Sequence, residues 1–133
     1  MSPGARPVIF TLVGIIGYAV QSAALWALAG RAQMPLVPAT LLATEVAVLN
    51  NFAWHVRWTW ADRPAGPADT AARLLRFNLA NGGMSLVTGA VLMPVLVHAL
   101  SLHYLLANLL TVSVCALANY VAGDRWVFAS LRP

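Results

Sequence analysis

Residues 7–30 read PVIFTLVGIIGYAVQSAALWALAG, 24 residues without a charge. As a helix rising 1.5 Å per residue they reach about 36 Å, more than the roughly 30 Å hydrocarbon core of a bilayer. Lipid offers no partner for a backbone N–H or C=O, so such a run is expected to be helical, with its hydrogen bonds closed internally. Ala27-Leu28-Ala29 resembles a leader-peptidase cleavage site. The apolar run is nevertheless about twice as long as the roughly 7–15-residue core of a signal peptide, so it is expected to be retained as a first transmembrane helix.

The pattern recurs three times. Residues 36–56 hold one acid, Glu45; residues 78–100 and 104–123 hold no Asp, Glu, Lys or Arg. The four windows occupy most of the 133 residues, which predicts one transmembrane domain over 1–133 and no separate soluble domain. Composition agrees: 60% of residues are hydrophobic and 9% charged, against roughly 45–50% and 25% in soluble domains. A soluble enzyme, a disordered tail and a disulfide scaffold are excluded on that balance. Cys115 is the single cysteine, so no intrachain disulfide forms. All eight basic residues are arginines, and they are dispersed rather than gathered in a stripe, which argues against a nucleic-acid partner.

Arginine placement predicts orientation. Arg6 precedes the first window, Arg57, Arg63, Arg73 and Arg76 separate the second from the third, and Arg125 and Arg132 follow the fourth. With four crossings these seven share one side and Arg31 alone takes the other. Positive charge collects in cytoplasmic loops, so both termini are expected in the cytoplasm. Within the central loop, Arg63-Pro64-Ala65-Gly66-Pro67 reads as a turn. Residues 69–77 then read as a short cytoplasmic amphipathic helix lying on the membrane, capped by Asp69 or Thr70.

The ends of the second and fourth windows match at a spacing of 68. Asn51-Phe52 is followed by Arg57-Trp58-Thr59-Trp60, and Asn119-Tyr120 by Arg125-Trp126-Val127-Phe128; Phe10 matches Phe77 more loosely. The chain therefore reads as an all-α membrane protein of four transmembrane helices in two helix pairs, about 7–60 and 77–128, plus the amphipathic helix. Each unit holds an even number of spans, so the repeat is expected to be parallel rather than inverted.

Arg-Trp-x-aromatic is an ordinary interfacial anchor, with Trp at headgroup level and Arg reaching for phosphate. Its recurrence on repeat-related helices sets Arg57 and Arg125 as candidates for a phosphate headgroup, since the guanidinium fork donates two hydrogen bonds at once, and Arg76, which by the arginine count shares their side of the membrane, is added to them. Trp58, Trp60, Trp126 and Phe128 are candidates for the headgroup interface. Glu45, costly in mid-bilayer, and Asn51, Asn81 and Asn119 are candidates for an intramembrane polar path. No metal-ligand spacing, no nucleophile with its base and no phosphate-cradling loop occurs, so neither an enzyme, a metal site nor a cofactor is expected.

Four short spans in two pairs, each closed by Asn-aromatic and Arg-Trp-x-aromatic, resemble the GtrA family from Phe10 to Phe128. Arg76-Phe77 and Val13-Gly14 fit as well. The match departs at Ile9-Phe10 where the family starts with Arg-Phe, at His55-Val56 and Gly123-Asp124 where Asn-Arg is frequent, and at Trp60 where Phe is usual. The resemblance implies a role in cell-surface polysaccharide and cell-wall synthesis: flipping a polyprenyl-phosphate-linked sugar, or anchoring a glycosyltransferase that uses one. Membrane lipids are implied partners, and four helices enclose so little space that a homodimer is expected. The lysine-free, Ala- and Arg-rich usage suits a high-GC bacterium, hence its inner (plasma) membrane. A small proton-coupled drug exporter is a weaker alternative, because that class carries its Glu in the first span.

Overall fold

The computed structural model describes residues 4–129, with Tyr104 described by its backbone alone; Arg132, one of the seven arginines used for orientation, lies outside them. Helix α1 covers Ala5–Leu25, α2 Leu36–Trp54, α3 Pro67–Val87 and α4 Tyr104–Ala122. Each runs on into wider π-helical turns: Trp26–Arg31 after α1, His55–Thr59 after α2, Thr88–Leu92 and Val95–Ala99 after α3, and Gly123–Val127 after α4. No strand occurs among the described residues. The four continuous helical stretches, Ala5–Arg31, Leu36–Thr59, Pro67–Ala99 and Leu105–Val127, contain 27, 24, 33 and 23 residues and are long and apolar enough to cross a membrane. The protein is an all-α, multi-pass membrane protein.

The expected amphipathic segment differs in one respect. It does not stand apart as a surface helix but forms the opening turns of α3, continuous with the third crossing. The helix starts at Pro67 rather than Asp69: Gly66 is the N-cap, without a side-chain cap, and Pro67 sits where its missing N–H costs nothing. Thr70 donates its hydroxyl to the Gly66 carbonyl at 2.9 Å instead of capping. No Gly or Pro separates Arg73 from Asn78, so nothing interrupts the helix at the membrane boundary.

Residues 1–65 and 66–133 form two compact units, each a helix hairpin. Helices pack in lipid without a hydrophobic driving force, so small residues that let backbones approach do the work. In the first unit Ala39, Ala43 and Ala47 make a buried stripe on α2, and α1 contributes Val13 and Gly17. In the second, α4 buries Ala107 and Thr111, and α3 buries Phe77 and Ala80. Hydroxyls within the spans return to their own helix: Thr11 to Pro7 O, Thr40 to Leu36 O, Thr88 to Met84 O and Ser113 to Leu109 O, all between 2.7 and 2.9 Å. This keeps isolated polar groups satisfied in hydrocarbon.

The two units repeat each other in their hydrogen bonds. In the turns between the helices of each unit, Ala32 N–H bonds Ala27 O and Leu100 N–H bonds Val95 O, while Gln33 and Ser101 take φ of 52° and 53°. At the closing ends, Trp60 N–H bonds His55 O and Phe128 N–H bonds Gly123 O, both at 2.9 Å. Each of these pairs lies 68 residues apart, yet Arg6, Phe10 and Val13 find Arg73, Phe77 and Ala80 at 67. The additional residue therefore enters the first helix of the second unit between Ala80 and Val95. The π turn Thr88–Leu92, which has no counterpart in α1, lies in that interval. A π turn absorbs one extra residue without breaking a helix, and so both ends of the second hairpin keep the register of the first.

Candidate functional site

The closing π turns decide which side chains face inward. A five-residue turn swings Trp60 and Phe128 under their own helix ends, where they are 1% and 0% exposed, while Trp58 and Trp126 stay 46% and 47% exposed. Trp60 closes an aromatic cluster in the first unit. Phe10 of α1 stacks on the His55 ring at 4.8 Å and meets Trp60 edge-on at 6.1 Å, and His55 meets Trp60 at 5.2 Å. In the second unit Phe77 of α3 meets Phe128 at 6.1 Å, and the Arg73 guanidinium lies over the Phe128 ring at 6.0 Å. Of the four candidate aromatics, Trp60 and Phe128 thus belong to the packing of their own unit, and Trp58 and Trp126 remain for a ligand or the headgroup layer. Trp54 leans on Trp58 at 4.5 Å.

His55 shows how the first unit differs from the second. Its Nδ1 pairs with Thr59 Oγ1 at 2.8 Å, and both residues are buried. The second unit has Gly123 and Val127 at these positions, removing ring and hydroxyl together. Thr59→Val is therefore expected to destabilise the protein by about 1–3 kcal/mol, the cost of orphaning a buried ring nitrogen. Val127→Thr at the matching position relieves no such deficit and gains nothing. Equilibrium unfolding of both variants in bicelles checks the contrast.

The arginines gather at the ends marked by these clusters. In the first unit Arg57 projects exposed from its π turn, and Arg6 pairs with Asp62 at 2.7 Å. In the second, Arg125 projects exposed from the matching turn, and α3 brings half-buried Arg76 and buried Arg73 to the Phe77–Phe128 end. Arg31 lies at the other end of its hairpin, 5.6 Å over the Trp26 ring. Each unit therefore presents an exposed Arg-Trp pair, Arg57-Trp58 or Arg125-Trp126, on a π turn.

One turn deeper stand the asparagines. Asn51 lies against Gly17 of α1, and its Oδ1 is buried without a hydrogen-bond partner. Asn119 gives its Nδ2 to Cys115 Sγ at 3.6 Å, and its Oδ1 is likewise buried and unpartnered. Asn50 has an orphaned Nδ2. Asn81 is different: its amide nitrogen bonds Phe77 O at 2.9 Å, within its own helix. Glu45 sits on an exposed face in the middle of α2, next to Thr44, whose hydroxyl accepts from Gln21 Nε2 at 3.1 Å. One residue that spacing alone missed is Arg73. The 67-residue offset that links Phe10 to Phe77 also links Arg6 to Arg73; Gly17, a glycine within a span, is legible as a close-packing position, and Asn51 packs there.

In chemical terms, each hairpin offers at one end a charged donor, an exposed aromatic face and a buried amide acceptor. Among the described residues no group of three His, Cys, Asp or Glu is placed to hold a metal.

The chain is 34% identical over 125 residues to a dolichol-phosphate mannosyltransferase of Pyrococcus furiosus; the match takes in 94% of this chain but 34% of that protein, so the chain spans about a third of its length. Residues 9–128 match the GtrA/DPMS transmembrane domain. The chain belongs to that family of membrane domains.

Proposed function

We propose that the protein translocates a polyprenyl-phosphate-linked sugar across the inner membrane of a bacterium, residues 1–133 acting as one GtrA-like domain that assembles as a homodimer with both termini in the cytoplasm. The observation that carries this reading is the exposed Arg-Trp pair at the end of each hairpin, with an unpartnered amide oxygen one turn inside. Arg57 in the first unit, and Arg125 with Arg76 in the second, are the phosphate-binding groups of their own hairpins; Trp58 and Trp126 lie along the sugar or the headgroup layer. Asn51 and Glu45 in the first unit, and Asn119 in the second, offer the headgroup polar contacts along their own hairpins, because bare sugar hydroxyls in hydrocarbon each cost several kcal/mol. A relative named for dolichol phosphate and mannose supports the substrate class.

The test is flipping by the purified chain in proteoliposomes, read with a short-chain prenyl phosphoryl sugar. Glu45→Gln removes a carboxylate that lies outside the binding ends. It is expected to slow transport by roughly tenfold while headgroup affinity stays within twofold, as a barrier effect of about 1.4 kcal/mol would. Unchanged transport in this variant would remove Glu45 from the route.

A second reading has its own support: a relative about three times longer, named as a mannosyltransferase, matches this chain over only a third of its length. On that reading the chain is a non-transporting anchor that recruits a glycosyltransferase through the Arg57–Arg76 segment. Pure protein would then flip nothing, and a glycosyltransferase would co-purify until residues 63–66 were replaced by Gly and Ser. In this reading too the chain itself catalyses no transfer.

A further inference from the structure

Asn51 and Asn119 occupy the same place in the two hairpins, 68 residues apart and four residues before the π turn. At both, the side-chain oxygen is closed off from solvent and takes no hydrogen bond from any described residue. Leaving a buried acceptor unpaired is unfavourable, and the protein does so twice at one register. The hydroxyls of Thr11, Thr40, Thr88 and Ser113 instead return to their own helices, and Asn50, whose Nδ2 is also buried without a partner, leaves a donor rather than an acceptor and has no such counterpart in the second hairpin. At Asn119 the nitrogen is engaged by Cys115, which leaves the oxygen as the group on offer. At Asn51 the amide is pressed against Gly17, where a Cβ would collide with its oxygen, nitrogen and carbon alike. Gly17 is in this sense a positioning residue: it lets the Asn51 amide lie flat against α1.

The polarity of these atoms sorts the ligand. Guanidinium groups only donate, and so suit phosphate oxygens. An amide oxygen only accepts; it repels a phosphate oxygen and needs an O–H or N–H. Resting on the reading of the arginine ends as a lipid-phosphate site, we propose that Asn51 and Asn119 accept hydrogen bonds from hydroxyls of the sugar headgroup and thereby distinguish the glycosylated carrier from the bare polyprenyl phosphate. Sites built to satisfy a substrate hydroxyl reject the analogue that lacks it, because their own buried group is then left unpaired.

The experiment measures the affinity of the full chain in nanodiscs for two probes, a short-chain prenyl phosphate and the same lipid carrying mannose. Asn51→Leu and Asn119→Leu are each expected to weaken the mannosylated probe about fivefold and to leave the bare phosphate unchanged, the size of one net hydrogen bond. Gly17→Ala is expected to reproduce Asn51→Leu, and to add nothing in an Asn51→Ala background, where no amide is left to displace. Asn51→Asp, equal in shape and still an acceptor, keeps the preference for the mannosylated probe, which separates the lost acceptor from a damaged fold. Equal weakening of both probes, or of neither, in the leucine variants overturns the assignment: a water or another helix then satisfies these oxygens. If Arg57→Ala and Arg125→Ala leave both probes bound as tightly as the parent, the arginine ends are not the phosphate site. That result removes the underlying reading as well.

Discussion

Trp60→Ala is expected to destabilise the first hairpin by about 3–5 kcal/mol, and Phe128→Ala the second by a similar amount, the range for emptying a fully buried aromatic position. The two rings are enclosed to 1% and 0% exposure. Each fastens the end of its second helix to its first, Trp60 through Phe10 and Phe128 through Phe77. Between helices in lipid the loss is one of packing contacts more than of transfer from water, and the void left by a ring adds its own cost. Trp58→Ala and Trp126→Ala remove rings that are about half exposed and touch little of the interior, so each should stay within about 0.5 kcal/mol of the parent. Circular dichroism during unfolding in mixed micelles reads all four without depending on the indoles removed. Should Trp58→Ala cost as much as Trp60→Ala, the inward and outward faces of the π turn would have to be exchanged.

That contrast marks where sequence reading stops. The four crossings were legible because charge is so sparse: a run such as 7–30 leaves no alternative to a helix in lipid. The start of α3 was not legible in the same way. Asp69, Arg73 and Arg76 depress hydropathy before Asn78, although nothing there ends a helix, so a polarity boundary passed for a structural one. The recurrence of Arg-Trp-x-aromatic was visible, but a pattern of period 3.6 cannot say which aromatic turns inward when the closing turn is π-helical. Only the Trp60 N–H to His55 O and Phe128 N–H to Gly123 O bonds fix that. Arg73 was obscured by its neighbour, because Arg76-Phe77 looks like the start of the helix; the 67-residue offset of Arg6-to-Phe10 picks out Arg73 once the Thr88–Leu92 turn accounts for the additional residue. The closeness of Gly17 to Asn51 depends on how α1 and α2 cross, and no local spacing encodes it.

Arg57→Ala and Arg125→Ala are the substitutions expected to act most strongly on binding, each weakening a prenyl phosphoryl sugar by about tenfold or more. Both side chains are exposed, and neither supports an interior ring. Their loss should therefore leave the unfolding midpoint close to that of the parent, unlike Arg73→Ala, which strips a buried guanidinium from the face of Phe128 and lowers stability. A charge-assisted hydrogen bond to phosphate contributes about 1.5–3 kcal/mol, and tenfold in affinity corresponds to about 1.4 kcal/mol, so even one bond partly screened at the membrane surface accounts for the expected change. Lysine separates charge from geometry. It keeps the positive charge but loses the planar fork, so Arg57→Lys and Arg125→Lys should recover part of the affinity and none of the two-point fit. An interfacial anchor behaves differently: there lysine replaces arginine without loss, and alanine changes insertion depth but not affinity for the free lipid in detergent. Titration of the solubilised chain with the short-chain lipid, with alanine and lysine at each position, decides between an anchor and a phosphate clamp.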